Sequence, residues 1–247
     1  MSRAGRAGPR PAPGALGPGR RVYAIGDVHG CAARLQELHA AIAADLAREP
    51  IHDARLVHLG DYIDRGPDSA AVVGLLANGP VMAGMPTINL CGNHERMMLD
   101  ALAGDGEPVD HWIANSAGAT LRSWNISPLS PAASWRAALP PRDLVLLEGL
   151  ALHHRVDGYL FVHAGVRPGI PLVRQSEEDL LWIREGFLNH RGPWLPEAPD
   201  VAIVHGHTPE AAPTVARNRI GIDTGAVNGG RLTCAVLEGR TVRFLEA

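Results

Sequence analysis

Lysine is absent from this 247-residue chain, and all 23 positive side chains are arginine. That excludes lysine Schiff-base chemistry, pyridoxal phosphate carried on lysine, and the lysine of a Walker A loop. No G-x-S-x-G occurs, so the usual serine-hydrolase elbow is missing too. Cysteine is scarce: Cys31, Cys91 and Cys234 are scattered and form no C-x-x-C. This excludes a disulfide framework and suits a reducing, cytoplasmic setting, with the thiols buried as small apolar groups. A formal net charge of −3 gives no reason to expect nucleic acid or a membrane surface as the main partner. Residues 69–93 carry no charge, but Gly74, Gly79, Pro80, Gly84 and Pro86 break them into pieces too short to span a bilayer.

What is present is an ordinary globular composition, 46% hydrophobic, and length enough to bury a sizeable core. Residues 1–20 are almost wholly Gly, Pro, Ala and Arg and read as an unfolded basic tail. From 21 to 247 no linker or repeat appears, so one α/β domain is expected. Strands are expected at 22–26, 55–60 and 87–91. A helix is expected at 32–48, with Leu35, Leu38, Ile42 and Leu46 on one face, and another at 69–77, ended by Asn78-Gly79. The second half reads as strands at 144–148, 159–163, 201–204, 219–222, 232–237 and 242–245. One helix is expected there, at 177–188, opened by Ser176 with Asp179. Residues 97–142, with Trp112, Trp124 and Trp135, read as a helical insertion over a site.

Polar residues cluster where the expected strands end. Gly26-Asp27-Val28-His29-Gly30 follows the first, Gly60-Asp61-Tyr62-Ile63-Asp64-Arg65-Gly66 the second, and Gly92-Asn93-His94-Glu95 the third. His163-Ala164-Gly165 and His205-Gly206-His207-Thr208-Pro209 follow two later ones. Carboxyl ends of strands in α/β sheets gather at one ligand-binding edge, so five turns deliver their side chains to one place. Asp27, His29, Asp61, Asn93, His163 and His207 form an oxygen and nitrogen donor set without thiolate. Such a set suits Mn²⁺, Fe or Zn²⁺ at a catalytic centre. It is large for one ion; two ions bridged by Asp61 would use it well. Two ions about 3.5–4 Å apart can hold a hydroxide and clamp phosphoryl oxygens, the arrangement for phosphate ester hydrolysis. Arg65 offers a fork for phosphate oxygens, His94 a proton for the leaving oxygen, and Asp64 a partner that orients that imidazole.

These stretches, GDxHG, GDxxDRG, GNHE, HAG and GHTP in order, resemble the signature of the phosphoprotein phosphatase family of calcineurin-like metallophosphoesterases. The closest likeness is to small bacterial and phage-type serine/threonine phosphatases. The resemblance covers nearly the whole chain after Arg21. It implies an α/β fold, a β-sandwich of two mixed sheets flanked by helices, holding two metal ions, commonly manganese. By motif position Asp27 and His29 would bind one ion, Asp61 both, and Asn93, His163 and His207 the second. Arg65 would hold phosphate, and Arg184, in Trp182-Ile183-Arg184-Glu185, is similar to a second phosphate arginine of the phage-type members. His205 would serve packing, and Asp223 would shape a turn beside the site.

The implied activity is that of a metal-dependent phosphomonoesterase of the serine/threonine protein phosphatase type. It would act as a monomer on phosphorylated proteins or small phosphoesters, with His94 as general acid. The nearest rival is a diadenosine tetraphosphate hydrolase, whose group typically reads GDxVARG and GNHD where this chain has Asp64 and Glu95. Phosphodiester hydrolysis, and an inactive module that only binds phosphorylated partners, are the weaker alternatives.

Overall fold

Val22 and Ala24 face one way and Tyr23 and Ile25 the other, and this alternation sets the layers of the fold. The computed structural model describes residues 8–104 and 106–247. The chain begins with β1 (Arg10–Pro11), β2 (Arg20–Ile25), α1 (Ala32–Arg48), β3 (Asp53–His58), α2 (Ser69–Ala77) and β4 (Thr87–Asn89). A helical stretch follows: α3 (Asn93–Ala103), α4 (Glu107–Ala114), α5 (Ala117–Ser123), α6 (Trp135–Ala138) and α7 (Pro141–Glu148). Then come β5 (His153–Val156), β6 (Tyr159–Val162), α8 (Glu177–Trp182) and α9 (Glu185–Leu188). The chain ends with β7 (Ala202–His205), β8 (Thr214–Val215), β9 (Arg219–Gly221), β10 (Thr233–Glu238) and β11 (Thr241–Glu246).

Two mixed sheets pack face to face, as the resemblance implies. One has the order β1-β11-β10-β2-β3-β4, with β2, β3 and β4 parallel; the other has β5-β6-β7-β9-β8, with β6, β7 and β9 parallel. Between them Val22, Ala24, Val57 and Leu59 meet Tyr159, Phe161, Val204 and Ile220. Tyr23, Ile25 and Leu56 turn outward onto Leu35, Leu38 and Ile42 of α1 and Val72 and Val73 of α2. Each of those three α1 side chains is fully buried, worth roughly 1.5–3 kcal/mol apiece. On the far side Leu160, Val162 and Ile203 pack on Leu180, Phe187 and Trp194. The register keeps the parallel strands level at their carboxyl ends: Ile25 pairs with His58, and Phe161 with Val204.

Three expectations are corrected. Residues 9–20, expected as part of an unfolded tail over 1–20, are tied to the fold: β1 pairs with β11, Leu16 is buried, and Arg20 reaches Asp53 at 2.6 Å and Asp157 at 2.5 Å. Sheet pairing and one apolar anchor hold a segment too rich in proline for a helix; residues 1–7 lie outside the described part. The strand expected at 144–148 is the end of α7, where Pro141 in the first turn presets the helical φ and Asp143 suits the helix N-terminus. The helix expected at 177–188 breaks into α8 and α9, because Ile183 is extended and Arg184 takes φ −131°, ψ −93°.

Candidate metal centre and active site

Every expected ligand sits just past a parallel strand. β2 leads to Asp27 and His29, β3 to Asp61, β4 to Asn93, β6 to His163 and β7 to His207. None of the six is more than 6% exposed. The two sheet edges are stitched together here: His163 Nδ1 donates to the Leu59 carbonyl at 2.9 Å, and the His207 N–H to Asp27 at 3.0 Å. Of the eight described non-glycine residues in the left-handed region, five belong to this cluster: His29, Asp61, Asp64, Arg65 and His207. Such backbone costs about 1–3 kcal/mol per residue and persists where surrounding structure over-determines it, typically at functional sites.

Asp61 is the hub. Its Oδ2 lies 3.3 Å from His29 Nε2 and its Oδ1 3.4 Å from His163 Nε2. The Asn93 Oδ1 lies 3.0 Å from both His163 Nε2 and His207 Nδ1. Two groups bring their ligand atoms within 4.8 Å of one another, one of His29, Asp61 and His94, the other of Asp61, His163 and His207. Asp27 is in neither; it is held from the His207 backbone, and Asp223 and Asp61 are its charged neighbours.

The donor chemistry fits divalent cations. His29 and His163 each place Nδ1 on a backbone carbonyl, of Ile63 and of Leu59, so that Nε2 is the ring atom each presents to the Asp61 carboxylate. A cation held there would take the carboxylate and both ring nitrogens as donors. Burial, then the charges of Asp223 and Asp61, push the Asp27 carboxyl well up. Burial acts the same way on Asp61, but the imidazoles of His163, His94 and His29 outweigh it and hold that carboxyl well down. Burial also pushes His207 down to about 3, so its ring is neutral, as a metal ligand must be.

Beside this cluster His94 Nδ1 donates to Asp64 Oδ2 at 2.7 Å, while its Nε2 is buried without a hydrogen-bond partner. Asp64 also accepts from the Trp112 indole at 2.9 Å and the Thr120 hydroxyl at 2.5 Å. The helical stretch thus fixes the His94 partner. Arg65 and Arg184 are exposed and flank the cluster, Arg65 against His29 Nε2 at 2.7 Å and Arg184 against His207 Nε2 at 3.1 Å. The break between α8 and α9 is what places Arg184 there. His205 points away, packing on Phe187 and meeting Arg219 at 3.1 Å.

Sequence reasoning gave no role to Glu95, Trp112 or Thr120. Glu95 accepts four backbone N–H bonds, from Asp61, Tyr62, Ile63 and Gly92, at 2.8–3.2 Å. Burial and the Asp61 charge push its carboxyl up to about 8 against those donors. Its place in GNHE, three residues past Gly92, was the available signal, since a carboxylate there can cap the helix start. The glycines are explained by close approach: a Cβ on Gly206 would stand 2.0 Å from Asp27 Oδ1, and one on Gly92 2.2 Å from Asp61 Oδ1.

Two mixed sheets whose strand ends gather buried Asp, Asn and His fit the metallophosphoesterase class. The chain belongs to the calcineurin-like phosphoesterase family, whose profile matches residues 20–230. It is similar to serine/threonine-protein phosphatase 1 of Salmonella typhimurium, 33% identical over 89% of this chain and 93% of that one. It is also similar to the bis(5'-nucleosyl)-tetraphosphatase PrpE of Bacillus thuringiensis, 28% identical over 85% of this chain and 87% of that one. The fold matches a crystal structure provisionally assigned as a diadenosine tetraphosphatase, with TM-score 0.65, 24% identity, and 94% and 96% of the two chains covered. No helix among the described residues is long and apolar enough to cross a membrane.

Proposed function

We propose that this chain is a dinuclear phosphomonoesterase acting on phosphoserine and phosphothreonine in proteins. The observation that carries the reading is His94, whose Nδ1 is fixed by a triply bonded Asp64 and whose buried Nε2 is unclaimed. An alkoxide is a poor leaving group, so a positioned proton donor counts most for a serine or threonine ester and least for a nucleotide leaving group. Asp27, His29 and Asp61 would hold one divalent ion, and Asp61, Asn93, His163 and His207 the second; three oxygen donors with three imidazoles accommodate Mn²⁺, as they do Fe or Zn²⁺. Bound there, the ions supply charge for the phosphoryl oxygens and for the attacking water. Arg65 and Arg184 grip the phosphate from opposite sides, orienting it and stabilising its growing negative charge. His94 Nε2 gives its proton to the departing oxygen while Asp64 holds the ring and offsets its positive charge.

The likeness to the Salmonella phosphatase supports this reading, and the likeness to PrpE supports the rival, dinucleoside polyphosphate hydrolysis. Side-by-side kcat/KM on a phosphopeptide and on diadenosine tetraphosphate, with Mn²⁺ present, separates them. Faster turnover of the tetraphosphate overturns the proposal. For His94→Asn, kcat on a phosphopeptide falls roughly 100- to 10,000-fold, with KM little changed and a smaller loss on aryl phosphates. An equal loss on both substrate types removes His94 from the acid role.

A further inference from the structure

A cleft of about 560 Å³ lies between α3, α4 and α8. Trp182 joins it to the centre: its ring stacks on His111 in the cleft, 6.0 Å between centroids and 20° between planes, and meets His207 edge-on at 6.1 Å. Trp182 is thus a wall shared by the cleft and the surroundings of His207. Its charge is one-sided. Asp100, Glu177 and Glu178 line it, and Glu107 lines the adjoining hollow of about 250 Å³ that shares Asp100 and His111. All four carboxylates are exposed. Among the described residues the lining holds one arginine, Arg96, already engaged by Glu177 at 2.8 Å and Asp100 at 3.7 Å. The centre itself is flanked by the guanidinium groups of Arg65 and Arg184, so the molecule presents a cationic seat for one phosphoryl group beside an anionic channel for the rest of the substrate.

Resting on the protein-phosphatase reading above, we infer that this cleft is a specificity site for a basic peptide segment flanking the phosphorylated residue. Arginine or lysine side chains of that segment complement the carboxylates, and their aliphatic stems lie along the His111–Trp182 wall. A polyphosphate chain, carrying several negative charges, meets repulsion in the same place.

The test compares phosphopeptides of equal length with arginine or with glutamate around the phosphothreonine, together with diadenosine tetraphosphate, on the wild type and on D100N/E177Q/E178Q. In the wild type at low salt kcat/KM favours the basic peptide by at least about tenfold, and the preference shrinks as salt rises. In the triple variant the ratio falls to about twofold or less. A wild-type ratio near one, or a ratio the substitutions leave unchanged, overturns the inference while phosphopeptide turnover keeps the function proposal standing. Turnover of the tetraphosphate with neither peptide cleaved overturns the function proposal, and the cleft assignment with it. The wild-type ratio and its salt dependence decide the matter even if the triple variant does not fold.

Discussion

The strand-end loops and the helical stretch of 93–148 contribute to the same centre in different ways. The loops give buried side chains pinned by backbone groups, such as His163 on the Leu59 carbonyl and Asp27 on the His207 N–H. Helices α4 and α5 give Asp64 two donors beside His94, from Trp112 and Thr120, and the exposed carboxylates of the cleft come from α3 and α8. On the proposed reading, groups that hold charge at fixed separation sit at the shared edge of two sheets, and groups that address the remainder of a substrate sit on helices at the surface.

The largest effect expected on that contrast comes from the hub of the strand-end set. Asp61→Asn lowers turnover of an aryl phosphate by at least about a thousandfold and weakens Mn²⁺ uptake measured by titration calorimetry. Metal uptake and turnover that match the wild type would show that the loops do not form the centre proposed. A smaller effect is expected from the helical side. Thr120→Val removes one donor from Asp64 and lowers kcat on a phosphopeptide roughly tenfold, with Mn²⁺ uptake unchanged; loss of metal affinity instead would erase the division of labour.

The smallest effect lies away from catalysis. His39 on α1 and His58 on β3 meet through their Nε2 atoms at 3.0 Å, and burial pushes them down to about 4 and about 3. Both are neutral in the fold and take up protons more readily once unfolded, at the ordinary value of 6.5. The stability these two histidines contribute is therefore greatest above pH 6.5 and declines as pH falls from there toward 4. Urea midpoints across that window should fall less for His39→Gln than for wild type, and parallel slopes would refute the assignment.

Much of this was legible in the sequence. Helix α1 could be read from the spacing of Leu35, Leu38, Ile42 and Leu46, and α2 from its Asn78-Gly79 stop, because both signals are local. The gathering of six candidate ligands was legible because each lies in a glycine-flanked turn at the end of an apolar run, and level strand ends do the rest. Trp112 and Thr120 were not legible as partners of Asp64, since they lie 48 and 56 residues away and meet it only through helix packing. The same holds for Arg184, whose position depends on a helix break that its own periodicity does not announce. The segment of 8–20 misled because composition speaks of how little apolar surface a segment can bury and not of an open edge on β11 waiting to be paired.

The Glu95 carboxylate binds the loop after β3 and the loop after β4 at once, through the amides of Asp61 and Gly92. Neither loop can drift without breaking bonds to the other. The proposed seat for cations and phosphate is thus assembled when the chain folds, and on that reading little rearrangement remains for the moment of catalysis. Loosening that single clamp would be felt across the whole centre, through groups that Glu95 never touches.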